Sequence, residues 1–361
     1  MAIEQLDIEN FLKHAEEVPV LDVRSPTEFS HAHIPGALTL PLFTDEQRKI
    51  IGTAYKKQSR QVAVKKGLEY FSERMKNIIV EAEDIIKEVN RNDSTNNRVL
   101  IHCWRGGMRS RAVAWLLDLY GFKVFTLKGG YKAFRNWALK QFEKNYNFKI
   151  LGGYTGSGKT DLLNALQTKG KKVINLEQLA NHKGSAFGSI GEKPQPGQEM
   201  FENLLALDLF KKSGVAEDRN KGNNNGALSD LNEIWLEDES RHIGTVGIPK
   251  TLWSEIRKSK LYFLDIPFDE RLDQIISTYG AFDKSALVNS IMKIQKRLGG
   301  LETKNAINYL HENKMRESFS ILLLYYDKLY TNALFKRDNI ELVLNKIPCK
   351  TVDIRNVASL D

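Results

Sequence analysis

Apolar and polar positions follow two rhythms along this chain. Short, nearly continuous apolar runs occur at VPVLD (residues 18–22), RVLIHC (98–103) and KVFTL (123–127), and the first is followed by a turn marked by Ser25 and Pro26. Runs of that length and composition predict strands of the kind a parallel sheet buries on both faces. Between them the apolar residues recur at helical spacing, from about 62 to 89, again in RSRAVAWLLDLYG from near Ser110, and in KAFRNWALKQFEKNY; the polar stretch NRNDSTNN breaks the first of these. Strand, loop, helix and strand in succession is an α/β unit.

A second α/β series opens at once with FKIL and continues through KKVINL, NEIWL and KLYFLDI, three further strand-like runs. The stretch EDRNKGNNNG (217–226) reads as a surface loop by composition. From about residue 283 the pattern turns helical, most clearly in LVNSIMKIQKRL and MRESFSILLLYYDKLYTNALF. The expected organisation is an α/β domain over residues 1–145, a parallel-sheet domain over 146–282 and a helical region over 283–361. No internal repeat of 20–50 residues is visible.

Composition narrows the class. Hydrophobic residues make up 42% of the 361 and charged ones 27%, the balance of a soluble globular protein. The N-terminal stretch MAIEQLDIENFLKHAEE lacks a basic segment followed by an apolar one, and no apolar run approaches the roughly 20 residues that span a bilayer. A cytoplasmic location without a membrane partner is therefore expected. Cys103 and Cys349 are the only cysteines and lie in different settings, so a disulfide is not expected in a reducing compartment. Cys349, in IPCKTVDI, reads as structural, and His14 and His311, in helical patterns, receive no role.

Lysine and arginine number 53 against 45 aspartates and glutamates, a net charge of +8 that favours polyanionic partners, nucleic acid among them. The segment AYKKQSRQVAVKKGLEYFSERMK (54–76) reads as one helix rich in cations, with Lys56, Lys57, Arg60, Lys65 and Lys66 as candidates for such a surface; a solvated helix face would look the same.

Two loops carry chemistry. In HCWRGGMRS (102–110) a cysteine directly follows a strand, in a loop with two glycines and two arginines. A thiol is a nucleophile only as thiolate, which needs nearby cations or converging backbone N–H groups. Arg105 and Arg109 supply the first, and Gly106, Gly107 and the start of the following helix supply the second. Cys103, Arg105 and Arg109 are thus candidate catalytic residues, although an inert buried cysteine at a strand end is common.

The other loop, GYTGSGKT (153–160), satisfies G-x-x-x-x-G-K-[ST] after the strand FKIL and before the helix DLLNALQ. There Gly153, Gly156, Ser157 and Gly158 would cradle phosphates with backbone amides, Lys159 would reach terminal phosphate oxygens, and Thr160 could hold Mg2+. Glu237, Asp238 and Glu239 follow the strand NEIWL, where phosphate-binding folds place a metal or water ligand, and no Asn-Lys-x-Asp motif for guanine is present. A GTPase is disfavoured; an ATP-using kinase stays open. The loop LANHKGSAFG, with His182, Lys183 and Ser185, the segment ESRHIG, with Arg241 beside Glu239, and LLYYDKLY, with Asp327, are further unusual pieces, and the first two complete a candidate second site of His182, Ser185, Glu237, Glu239 and Arg241.

LDVRSPTEFSHAHIPGALTLPL, HCWRGGMRS and GFKVFTLKGGYKAF together resemble the rhodanese family, which carries sulfur or selenium on a loop cysteine. Asp22, Arg24, Glu28, His33, Pro35 and Gly36 match that family's opening motif, where such residues mainly build the fold. Cys103 to Arg109 has the Cys-x5-Arg spacing of rhodanese-like phosphatases, one residue longer than the usual sulfurtransferase loop. With GTAYKKQSRQVAVKKGL, GGYTGSGKT, LANHKGSAFG, LEDESRHIG and YYDKLY following in order, the chain resembles the tRNA 2-selenouridine synthase family over nearly its whole length.

That resemblance implies a rhodanese-like domain, a P-loop domain and two reactions at the wobble uridine of tRNAs for lysine, glutamate and glutamine. In the first, 2-thiouridine sulfur attacks C1 of geranyl diphosphate. In the second, selenium from selenophosphate replaces the geranylthio group. The phosphate loop would then hold a prenyl diphosphate rather than ATP, Cys103 with its arginines would serve the selenium step, and no tightly bound cofactor or resident metal is expected. A Cys-x5-Arg phosphatase or an ATP-dependent kinase-like enzyme is the alternative.

Overall fold

The run RVLIHC lies inside the first sheet, as its apolar make-up predicts. In this computed structural model, residues 3–89, 97–213 and 233–360 are described, and the chain divides after Lys140 into two compact units. The first runs β1 (Glu4–Leu6), α1 (Ile8–His14), β2 (Val20–Asp22), α2 (Pro26–His31), β3 (Leu38–Thr39), α3 (Asp45–Lys57), α4 (Arg60–Val89), β4 (Arg98–His102), α5 (Met108–Tyr120), β5 (Lys123–Leu127) and α6 (Gly130–Gln141). The sheet order is β1-β5-β4-β2-β3, every neighbouring pair parallel. Leu21, Val99, Ile101 and Val124 from its strands are buried with Val113 and Leu117 of α5 and Ile78 and Ala82 of α4.

Local signals explain the boundaries. Pro26 opens α2, and the Ser25 N–H donates to Glu28 Oε2 at 3.1 Å, so the first turn is capped from within. The single helix expected over 54–76 is instead the end of α3 and the start of α4. Ser59 causes the break: its hydroxyl accepts from the Val62 N–H at 3.2 Å and caps a new helix. The stretch NRNDSTNN falls almost wholly outside the described residues, and EDRNKGNNNG does so entirely.

The second unit runs β6 (Asn147–Gly153), α7 (Lys159–Thr168), β7 (Lys172–Ile174), α8 (Leu176–Ala180), α9 (Gln198–Lys212), β8 (Glu233–Glu237), β9 (His242–Ile243), β10 (Val246–Gly247), α10 (Lys250–Lys258), β11 (Lys260–Asp265), α11 (Phe268–Tyr279), α12 (Lys284–Leu298), α13 (Gly300–His311), α14 (Met315–Phe335), α15 (Ile340–Val343) and β12 (Leu344–Pro348), closing on a 3-10 turn at Ile354–Ser359. Its main sheet has the order β12-β11-β6-β8-β7, all parallel, with the phosphate-loop strand in the middle. β9 and β10 form a small antiparallel pair.

The region expected to be helical from 283 is so through α14, but β12 corrects the remainder. Leu344–Pro348 pairs with β11 from Leu261 to Asp265 and extends the sheet by an edge strand. Among the described residues, no helix is long and apolar enough to cross a membrane.

Candidate functional sites

Both loops singled out in the sequence sit at the carboxyl ends of parallel strands, where open α/β sheets place ligands. Cys103 leaves β4 and is 3% exposed. The chain then turns through Gly106, at φ +62°, into α5, which starts at Met108 rather than near Ser110. A β-carbon on Gly106 would stand 2.7 Å from the Leu127 carbonyl oxygen, and one on Gly130, at φ +60°, would run into the Cys103 carbonyl oxygen. Glycine at these two positions lets the cysteine loop and the start of α6 touch backbone to backbone. The Tyr131 N–H donates to the Cys103 carbonyl at 2.8 Å and the Lys132 N–H to the Trp104 carbonyl at 2.9 Å.

Cys103 Sγ lies 3.2 Å from Ser110 Oγ. Burial pushes the thiol up, but the Ser110 hydroxyl, the Arg109 charge and the amides of Ser110 and Arg105 together outweigh it, leaving its pKa below the ordinary range. Arg105 and Trp104 are exposed on the loop. Arg109 is half-buried and pairs with Glu28: Nη1 donates to Glu28 Oε2 at 2.5 Å and Nη2 to Glu28 Oε1 at 3.2 Å. Glu28, read from sequence as a fold residue, therefore reaches into the cysteine loop. The other opening-motif residues do act as framework. Arg24, fully buried, donates to Asp22 and to the Ala32 carbonyl and lies 4.0 Å above the Tyr131 ring. His33 bonds the Phe29 carbonyl through Nδ1, and Gly36 takes a left-handed turn at φ +84°.

In the second unit, Gly153 ends β6, Gly156 and Gly158 adopt φ +84° and +70°, and Lys159 opens α7 with Nζ 3.2 Å from the Gly153 carbonyl oxygen. Ser157 Oγ donates to the Tyr154 carbonyl at 2.5 Å, and Thr160 Oγ1 to Glu177 Oε2 at 3.2 Å. The loop is braced from outside by residues distant in sequence. Arg271, 3% exposed, donates to the Thr155 carbonyl at 3.1 Å, to the Ile266 carbonyl at 3.1 Å, and to both oxygens of Asp327 at 2.8 and 2.7 Å. Tyr330 accepts from the Gly153 N–H at 3.3 Å and donates to Asp238 Oδ2 at 2.6 Å; Arg337 holds the other oxygen of Asp238. The YYDKLY segment thus acquires a mechanical role that its sequence did not reveal.

Three carboxylates gather beside Lys159. Glu177 shares its neighbourhood with Thr160, and its N–H donates to Glu237 Oε1 at 2.7 Å. Burial, reinforced by the Glu177 charge, pushes Glu237 up to about 7, and Glu239 is pushed up by burial and the neighbouring Glu177 against the pull of Lys159. Glu239 packs on Gly184, where a β-carbon would come within 2.5 Å of Oε2.

The 181–188 loop brings His182 and Ser185 to the same region: the His182 N–H donates to the Glu177 carbonyl at 3.0 Å, and Tyr326 accepts from the Ala186 N–H at 3.2 Å. Burial lowers the His182 pKa. Arg241 is exposed just before β9. Glu177, Arg271 and Tyr330 are residues that sequence reasoning missed. Among the described residues, no group of three or more His, Cys, Asp or Glu side chains is arranged to hold a metal ion. Lys56, Lys57, Arg60 and Lys65 are exposed around the α3–α4 break, with Lys66 half-buried.

The fold and these loops define a rhodanese-like unit followed by a P-loop unit. Residues 7–136 match the rhodanese-like domain family, and residues 146–346 match the family described as the tRNA 2-selenouridine synthase AAA domain. The chain is 34% identical to the tRNA 2-selenouridine synthase of Bdellovibrio bacteriovorus across 89% of this chain and 90% of that protein. It is also 34% identical to that of a Sulfurovum species (86% and 87% covered) and 32% identical to that of Pseudomonas putida (87% of each). The chain belongs to the tRNA 2-selenouridine synthase family.

Proposed function

We propose that this chain converts 2-thiouridine to 2-selenouridine at the wobble position of tRNAs for lysine, glutamate and glutamine, using geranyl diphosphate and selenophosphate. In the first step the 2-thiouridine sulfur bonds to C1 of the prenyl group as the C1–O bond breaks, and diphosphate leaves. Loop 153–160 suits that departure, because its amides and Lys159 oppose the charge developing on the leaving oxygens. A Mg2+ ion arriving with the diphosphate would meet the Thr160 hydroxyl and the carboxylates of Glu177 and Glu237, the oxygen donors that ion uses.

In the second step the selenium of selenophosphate bonds to C2 of the base as the C2–S bond breaks and geranylthiolate departs with a proton; water then cleaves the Se–P bond and carries the phosphoryl group away as phosphate. Cys103, with its lowered pKa, and the adjacent Arg105 and Arg109 would handle the selenophosphate anion there. The tRNA would be held mainly through phosphate contacts from basic residues, Lys56, Lys57, Arg60, Lys65 and Lys66 among them, so binding should weaken steeply with salt. The observation that carries this reading is the pairing, in one chain of this family, of a thiolate-stabilising cysteine loop with a phosphate cradle.

The test is mass spectrometry of a 2-thiouridine anticodon stem-loop given geranyl diphosphate and then selenophosphate, with wild-type, Cys103→Ala and Lys159→Ala chains. S-geranylation should vanish in Lys159→Ala and persist in Cys103→Ala, with selenium entry lost in the latter. An unmodified base with wild-type chain would sink the reading, and product formed only with ATP would move the kinase-like alternative forward.

A further inference from the structure

A cleft of about 280 Å³ opens directly beside the phosphate loop. One wall is Ser157, Gly158 and Leu162; the other is Val352, Asp353 and Ile354, from the segment that follows β12. The two walls are in contact at the loop itself, since a β-carbon on Gly158 would stand 2.7 Å from Val352 Cγ1. Val357 and Leu360 are buried beneath the second wall and fix it to the core that includes Leu162 and Leu163. Ile354 is 57% exposed at the cleft.

We propose that this cleft seats the hydrocarbon tail of a prenyl diphosphate whose phosphates lie in loop 153–160; the proposal rests on the reading of that loop given above. Three features favour a tail over the other occupants of such a position. None of the lining residues is aromatic or basic, so a nucleobase would find neither a ring nor a guanidinium to stack on. Asp161 lines the cleft without a cation among the lining residues, so its carboxylate disfavours phosphate there and favours placing the charged end of the ligand in the loop and its neutral part in the cleft. Asp353 is moreover occupied: Arg355 Nε donates to both of its oxygens at 2.9 Å and the Arg355 N–H to Oδ1 at 2.8 Å, so Val352 and the exposed Ile354 supply the apolar surface a tail can cover, with the uncharged amides of Asn164 and Gln274 completing the lining. The volume lies near the lower end of the roughly 300–1,000 Å³ typical of ligand pockets, which suits a short chain.

The test is titration of the full chain with geranyl diphosphate and, separately, inorganic diphosphate. Ile354→Asn alters an exposed position without adding charge, and its unchanged affinity for inorganic diphosphate serves as the control for folding. It should weaken geranyl diphosphate by about tenfold while leaving inorganic diphosphate as in wild type, and Ile354→Leu should keep the tail's contribution. If Ile354→Asn binds geranyl diphosphate like wild type, in a chain that still makes S-geranyl tRNA, the cleft assignment falls and the prenyl-transfer reading stands. If the wild-type chain makes no S-geranyl product, that reading falls and the assignment with it. ADP bound more tightly than geranyl diphosphate, and lost in Ile354→Asn, would make the cleft a nucleobase site and overturn the proposal.

Discussion

Arg109 and Glu28 face each other fork to fork across 81 residues of sequence. Burial alone would raise the Glu28 pKa, but its bonds to Arg109, the Ser25 N–H and the Arg48 charge hold it below the ordinary 4.5. A carboxylate whose folded pKa is depressed stabilises the fold above its unfolded pKa and ceases to do so as pH falls through the folded value. Glu28→Gln should therefore cost about 1–3 kcal/mol at pH 7, with the difference from wild type shrinking below about pH 4.5. Urea melts of both chains at neutral and acid pH check this. A gap that does not change with pH would mean that the pair contributes packing and no charge.

Ser110 makes a second, separable prediction. Its hydroxyl, 3.2 Å from Cys103 Sγ, is the largest influence lowering the thiol pKa. Ser110→Ala should move the pH–rate profile for alkylation of Cys103 to higher pH and slow the reaction at pH 7 by about tenfold. Peptide mass spectrometry separates Cys103 from Cys349, whose thiol is pushed up by burial and by Asp265. An unmoved profile would assign the lowering to Arg109 and the loop amides.

The two chemical loops were legible in the sequence because each is strictly local: a short apolar strand, a glycine-bearing turn and a helix in unbroken order. The partners that brace them were not, because they arrive from remote elements. Glu28 reaches Arg109, Arg271 reaches Asp327 56 residues away, and Tyr330 reaches Asp238 across 92, and no periodicity announces any of these pairs. β12 was missed for a related reason. LNKIP alternates poorly and includes Asn345 and Lys346, both exposed, so its strand character comes from the free edge of β11 rather than from its own residues. The break between α3 and α4 was the opposite case, a local signal at Ser59 masked by helix-favouring residues on both sides.

Arg271 is nearly fully buried and holds the Thr155 carbonyl and Asp327 at once. Removing one member of such a pair strands the other charge, so Asp327→Ala should destabilise the second unit by about 3–5 kcal/mol in denaturant melts. The double variant Arg271→Met, Asp327→Leu should recover much of that loss. It should not recover diphosphate binding, because Thr155 then lacks its donor. Full recovery of binding would show that the phosphate loop holds its shape without this brace.

Glu237 predicts a pH dependence of the opposite sign to that of Glu28. Its carboxyl, 2% exposed and with Oε2 unbonded among the described residues, titrates at about 7 rather than 4.5. The folded chain then binds more protons than the unfolded one between those values, so this group favours folding at acid pH and progressively less as pH rises from 4.5 to about 7. Glu237→Gln can keep the bond from the Glu177 N–H and carries no charge to bury. Relative to wild type it should gain on the order of 3 kcal/mol between pH 5 and pH 8, measured by urea melts at each pH. Parallel curves would show that Glu237 is ionised throughout.

Gly130 tests the cysteine loop without touching its chemistry. Its φ of +60° suits a side chain poorly, and an added methyl would run into the Cys103 carbonyl and come within 2.9 Å of the Arg105 N–H. Gly130→Ala should push the loop away from the start of α6 and break the Tyr131-to-Cys103 bond, at a strain of about 1–2 kcal/mol from the backbone alone. The arginines and the thiol would remain while the amides that lower its pKa lose their aim. Selenium incorporation should fall while S-geranylation, assigned to the other unit, continues. Mass spectrometry of the anticodon stem-loop reads both products from one sample. Equal loss of the two would mean that the reactions depend on a common structure, and the division between the cysteine loop and the phosphate loop would have to be abandoned.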